Sequence, residues 1–178
     1  METNIGIFEE QLKRYVVLYY LLGLIERDIR SRAISTLSNL ARQNGYIEWI
    51  PVLPNSEQNR ETLFKALRKN RGMTEGFESY SPFSFWKNLF KGGNYVSLWL
   101  TALHYVFPYI HEPLSKRSFD QVCTKVYLAA QIRNRVAHYT SKGSGTYEKE
   151  KAILMWLIRA MHGPAPIALA KAQGFVEF

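Results

Sequence analysis

Apolar residues recur along this chain at steps of three and four, and nowhere in sustained strict alternation, so the pattern predicts helices and no strands. Phe8, Leu12, Tyr15, Val16, Tyr19, Leu22 and Ile25 keep that period and predict one or two long helices over residues 7–42, with Gly23 as the single weak point. After Ile25 the segment turns polar: Glu26, Arg27, Asp28, Arg30 and Arg32 mix charge signs as a partly exposed helix does. Pro51, Pro54 and Asn55-Ser56 interrupt the pattern, and another helix follows over residues 57–69. Residues 70–82, rich in turn formers, read as a loop held to the surface by Phe77 and Tyr80. Residues 83–90 form a short apolar segment ended by Gly92-Gly93, after which Asn94 is placed to cap a helix through Leu98, Leu100, Leu103 and Val106. Pro108 and Pro113 bracket a second loop.

Ser118-Phe-Asp-Gln121 fits a capping box, in which the Ser hydroxyl and the Gln side chain satisfy two orphan amides, and predicts a helix running to about Tyr139. Gly143 and Gly145 end it, and a last amphipathic helix over residues 148–161 carries Ile153, Leu154, Trp156, Leu157 and Ala160. Five or six helices with short connections imply an all-α, antiparallel up-and-down bundle over residues 1–163, followed by a C-terminal tail, 164–178, with one short helical turn.

The length of 178 residues suits one domain with a real core, and a hydrophobic fraction of 47% with 14% aromatic residues excludes a disordered chain. Lys and Arg number 23 against 15 Asp and Glu, a formal charge of +8, which favours a polyanionic partner: nucleic acid, an anionic membrane surface or an acidic protein. Cys123 is the only cysteine and can form no internal disulfide; on an apolar helix face it reads as core packing. The first apolar run, Tyr15 to Ile25, is too short to cross a bilayer and runs into Glu26-Arg27-Asp28, so a soluble, cytoplasmic protein without a membrane partner is expected.

Chemistry concentrates in the Ser118 helix. On a wheel of about 100° per residue, Phe119, Val122, Cys123, Val126, Ala129, Ala130 and Ala137 form one stripe, with Arg133 near its centre. An arginine there is costly unless it is paired or faces a partner, so it is either a structural Arg paired with Glu26 or Asp28, or a functional one. Asn134 and His138, four apart, share a flank and can touch, whereas Arg133 and His138 diverge by about 140°. A compact site then needs Arg133 to reach around the helix or a second copy to bring its own set, and the small Ala129, Ala130 and Ala137 would admit such a copy in a homodimer. Cleaving RNA without a metal needs a base of near-neutral pKa for the 2′-hydroxyl and a fixed cation for the scissile phosphate. His138 suits the first role and Arg133 the second; Asn134 can orient His138 or bind phosphate, and Arg135 and Tyr139 can grip the backbone or stack on a base. An Arg-Asn pair at this distance from a His arises by chance in about one such chain in a hundred.

The string Arg133-Asn-Arg-Val-Ala-His138 matches the RNxxxH form of the Arg-x4–6-His motif of HEPN-domain ribonucleases, and its setting, AAQIRNRVAHY, resembles their Abi-like, abortive-infection branch. LIERDIRSRAI (24–34) is similar to the first helix of that branch, and FWKNLFKGGNYVSLW (85–99) resembles its aromatic-Gly segment. The resemblance implies a helical bundle, a homodimer with the motif helix at the interface, and metal-independent RNA cleavage with no cofactor, in phage defence or as a toxin. It maps Arg133, Asn134 and His138 onto catalytic positions and Glu26 onto an acidic position that braces the Arg. Two departures stand out. Tyr139 replaces a second His common in the branch, and Thr140 stands where some toxin relatives carry a modified Tyr, which argues against control by modification there. An antitoxin or other regulatory partner, protein or RNA, is expected to restrain such an enzyme. The competing readings are a catalytically idle HEPN-like bundle that binds RNA or protein, and a generic helical adaptor, which leaves Arg133 unexplained.

Overall fold

The amphipathic segment that begins the chain is one uninterrupted helix, α1 (Glu2–Gln43), into which Gly23 is absorbed without a break. In the computed structural model, residues 2–54, 57–112, 115–138 and 146–164 are described, the side chains of 2–8, 57–59 and 78 excepted. α1 is followed by α2 (Glu57–Lys69), the single turn α3 (Phe77–Tyr80), α4 (Phe83–Leu89), the single turn α5 (Leu103–Val106), α6 (Lys116–Ala137) and α7 (Tyr147–His162). No strand occurs among the described residues, so the chain is an all-α bundle. The predicted tail beyond Pro164, the turn after His138, and Asn55, Ser56 and Pro113 lie outside them.

α1 supplies the spine. Leu18, Leu22, Ile25, Ile29, Ala33, Leu37 and Ala41 are buried at steps of three and four along one face. Leu12, Val16 and Tyr19, which share the same period, are exposed, because they belong to a second apolar face of the helix. α6 runs antiparallel to α1, with Glu26 opposite Arg133 and Tyr15 near Arg135. α7 runs parallel to α1: Arg14 lies over the Tyr147 ring at one end and Asp28 meets His162 at the other. The far end of α1 is closed by an aromatic cluster in which Trp49, Phe85 and Trp86 pack edge-on around Phe77, itself fully buried and not at the surface.

Two predicted helix starts are corrected. Asn94 does not cap a helix: its amide donates back to the carbonyls of Asn88 and Leu89 at 3.1 and 3.0 Å. The segment from Gly92 is therefore broken into a 3₁₀ turn (Gly92–Asn94), a π turn (Tyr95–Trp99) and α5. α6 starts earlier than its capping-box pattern suggests. Ser115 is the N-cap, its Oγ accepting from the Ser118 amide at 3.1 Å, while the Ser118 hydroxyl turns inward to donate to the His111 carbonyl at 2.6 Å.

Cys123 packs against the core, and burial, aided by the charge of Asp120, pushes its thiol pKa up to about 12. At pH 8, iodoacetamide is expected to label Cys123 about a thousandfold more slowly than free cysteine; labelling at the free rate would contradict this packing. Between α6 and α7, Arg135 grips Glu150 with two hydrogen bonds, and their side chains are only 12% and 10% exposed. Glu150→Ala, which strands that guanidinium, should destabilise the fold by about 3–5 kcal/mol, with much of the loss recovered in Arg135→Met/Glu150→Leu. Thermal melts of the two variants beside the parent check it.

Candidate functional site

The last turns of α6 form the site, and the placement of their side chains follows from how α6 packs. Its buried residues are Ser118, Phe119, Val122, Val126, Ala129, Ile132 and Val136. On the helical wheel, the first four centre on a direction roughly 60° away from that of the last three. The shift accompanies a change of neighbours, from Tyr95 under Phe119 to α1 and α7 at the C-terminal end. Arg133, near the centre of a stripe drawn straight from Phe119, therefore stands at the edge of the real buried face with its side chain 49% exposed. Ala137, also assigned to that stripe, is exposed.

Three kinds of environment surround these residues. On the flank toward α7, Arg135 is committed to Glu150 and lies over the Tyr15 ring at 5.8 Å, so it is not free to grip RNA as its position in the motif suggests. On the flank toward α1, Arg133 Nε donates to Glu26 Oε1 at 3.3 Å, and Glu26 Oε2 accepts from Arg30 Nη2 at 3.0 Å. Between them, Asn134 and His138 face outward with Ala137. Asn134 and His138 meet only through the backbone, the His138 amide donating to the Asn134 carbonyl at 3.2 Å while the imidazole is exposed at the helix C-cap. Tyr139 lies outside the described residues.

The brace on Arg133 is chemically informative. Glu26 takes the Nε hydrogen, and the two terminal nitrogens, which carry four of the five donors of the guanidinium, hold no partner among the described residues. That is the presentation a phosphate needs: a guanidinium held from behind with its fork free. Arg30, which the sequence reading placed only among the mixed charges of the first helix, holds the other oxygen of Glu26, and its own buried Nε has no partner among the described residues. Two cations share one carboxylate, so the cluster keeps net positive charge beside the exposed Asn134 and His138.

Asp28, the alternative partner for Arg133, is engaged elsewhere. It lies two residues from Glu26 and hence roughly 160° around α1, where its Oδ2 is 2.7 Å from His162 Nε2. Arg32 Nη2, which can only donate, is 3.5 Å from the other ring nitrogen, an arrangement that suits an Nε2–H facing Asp28. Gly163, at φ +74 and ψ −165, turns the chain there, with the Tyr109 ring against it where a side chain would stand. This second cluster joins residues 134 positions apart, and no local motif marks it.

No protein-family model matches the chain, and no curated protein or solved structure matches it either.

The two arginine pairs should differ in energy because they differ in exposure. A double-mutant cycle of Glu26→Gln with Arg133→Gln is expected to give a coupling of about 0.5–1 kcal/mol that shrinks at high salt, since the Arg is half exposed. A coupling above about 3 kcal/mol would make Arg133 a structural residue of the fold.

Proposed function

We propose that the chain is a HEPN-type, metal-independent RNA endonuclease of the Abi-like branch, acting in phage defence or as a toxin. His138 takes the proton of the ribose 2′-hydroxyl, the resulting oxyanion attacks the adjacent phosphorus, and the 5′-oxygen leaves, giving a 2′,3′-cyclic phosphate. Arg133 stabilises the charge that builds on the phosphate, and Asn134 binds phosphate or orients the imidazole. Glu26, itself pinned by Arg30, is a positioning residue for Arg133.

One observation carries the reading. Arg133 is held through Nε by Glu26, with its terminal nitrogens unpartnered among the described residues, on the same exposed turns as Asn134 and His138. A purely structural arginine would spend its fork on the fold, as Arg135 does on Glu150. The excess of positive charge over the chain suits a polyanionic substrate.

The site completes itself in a homodimer. Arg133 and His138 point about 140° apart around α6, and the brace draws Arg133 toward α1, away from His138. Two copies meeting on the outer face of α6 would bring a His138 from one chain toward an Arg133 of the other. Tyr127, Asn134 and Ala137 are exposed on that face at steps of seven and three, a spacing that a twin helix could meet. A regulatory partner, protein or RNA, belongs to the same reading. Among the described residues no helix is long and apolar enough to cross a membrane.

Incubation of RNA with the protein in EDTA is expected to give 2′,3′-cyclic phosphate ends. His138→Ala or Arg133→Ala should lower cleavage at least about a hundredfold, and Glu26→Gln about tenfold with kcat and not KM affected. Intact RNA with all proteins, at undiminished binding, would leave the idle RNA-binding bundle instead. Light scattering showing a monomer at micromolar concentration would remove the composite site.

A further inference from the structure

α1 carries an apolar face that no other part of the described chain covers. Leu12, Val16, Tyr19 and Tyr20 are 50–70% exposed, and together with Arg27 and Ala137 they line a groove of about 760 Å³ between α1 and the end of α6. Gly23 sits in its floor, and nothing lies within 4 Å of where its side chain would be. A glycine in a helix interior costs about 1 kcal/mol relative to alanine, and here it leaves a flat, open floor beside two tyrosine rings. Ala137 belongs both to this groove and to the exposed turn that carries Arg133, Asn134 and His138, so the groove opens directly onto the candidate catalytic groups.

Leu12, Val16, Leu24 and Val136 would suit an apolar protein helix, but the exposed tyrosines and the charge of the groove point elsewhere. Its one charged lining residue is the cation Arg27, whose Nε donates to Asp28 Oδ1 at 2.8 Å and whose terminal nitrogens hold no partner among the described residues. That unspent fork, on a chain of net charge +8, favours a polyanion. Exposed Tyr rings with wet hydroxyl edges stack on nucleobases without regard to sequence, and an arginine at the end of the row takes the backbone. A paired helix buries its base faces in its own stack, so only an unpaired strand can present them to tyrosines.

We infer that the Tyr19–Tyr20 groove of α1 is a base-stacking subsite for unpaired RNA, holding the nucleotides next to the phosphate presented to Arg133 and His138. The inference rests on the ribonuclease reading for the fate of that phosphate, and on the groove alone for binding. It makes the substrate class single-stranded RNA or a loop, selected by accessible base faces and not by a sequence code.

Fluorescence anisotropy with a short labelled oligouridine, in EDTA and in a His138→Ala background that keeps the RNA intact, tests it. Oligouridine is expected to bind at least about tenfold more tightly than the same strand annealed to oligoadenosine. Tyr19→Ala and Tyr20→Ala should each weaken single-strand binding about tenfold without shifting the melting temperature, because both side chains are exposed. Tyr19→Trp should retain binding, with the emission of the introduced indole quenched on adding oligouridine, which gives a readout independent of any loss of folding. Equal affinity for single and paired strands, or unchanged affinity in both alanine variants, would overturn the inference. So would a parent dimer that sediments as a monomer after Tyr19→Ala, since a second copy would then occupy the groove. The ribonuclease reading fails separately: a protein with His138 intact that leaves RNA uncut, yet shows the tyrosine-dependent binding and the quenching in Tyr19→Trp, keeps the subsite and loses the enzyme.

Discussion

The apolar face of α1 is the constraint on which the rest of the molecule depends. Along it Ile25, Ile29, Ala33 and Leu37 are fully buried, and α4, α5, α6 and α7 all lean against it. At 1.5 Å per residue α1 is about 63 Å long, whereas α6 spans about 33 Å and α7 about 24 Å. No partner of that length can cover such a helix from end to end. The N-terminal part of α1 must therefore run past the end of α6, and any apolar side chain on its outer surface there stays exposed. Leu12, Val16 and Tyr19 are in that position, at the point where the motif also ends. The exposed groove and the candidate site thus share one geometric cause.

Energetics separate the two arginines of the motif, although only one residue stands between them. Arg135 is desolvated between α6 and α7, where a lone charge is expensive and a bidentate carboxylate is the remedy. Arg133 is half in water, where an ion pair adds little to stability. Glu26, at 15% exposure, is more buried than the arginine it holds and is satisfied on its other oxygen by Arg30. The carboxylate is thus the fixed point and Arg133 the group it aims. That ordering of rigidity, with the support buried and the cation at the surface, is what a pre-organised phosphate ligand requires.

Much of the fold was legible because helical periodicity and punctuation coincide along most of the chain. Helix α2 and the end of α7 at Gly163 fall where proline, asparagine and glycine signals put them. Failures occurred where one side chain had two possible partners. The amide of Asn94 satisfied the end of α4 and not the next helix, and Ser118 went to the His111 carbonyl, leaving the cap to Ser115. At the site, residue types and spacing pointed to Arg133 and His138, but not to which flank each would occupy, and left Glu26 and Asp28 both open as partners of the Arg. A straight wheel cannot register a contact line that turns by roughly 60° along α6. The same periodicity merged Leu12, Val16 and Tyr19 with Leu18, Leu22 and Ile25, hiding a second face. The partners of Arg135 and Asp28, on α7, are set by tertiary packing and carry no local signal.

These placements bear on how one phosphate could meet both catalytic groups of the proposed site. An arginine free on the surface could sweep part of the way around α6 toward His138. Arg133 is tied through Nε to α1, on the side opposite that sweep, and releasing it would leave the Glu26 carboxylate, only 15% exposed, holding Arg30 alone. Reaching around within one chain therefore works against the brace that would present Arg133 to a phosphate. An approach by a second α6 asks for no such release: the braced arginine borders one side of the outer face of α6 and the outward histidine the other. The groove lies on the α1 side of that face and borders it at Ala137. On this geometry the proposed chemistry, the proposed dimer and the proposed route of an RNA strand are not separable choices, because the tether on Arg133 limits all three.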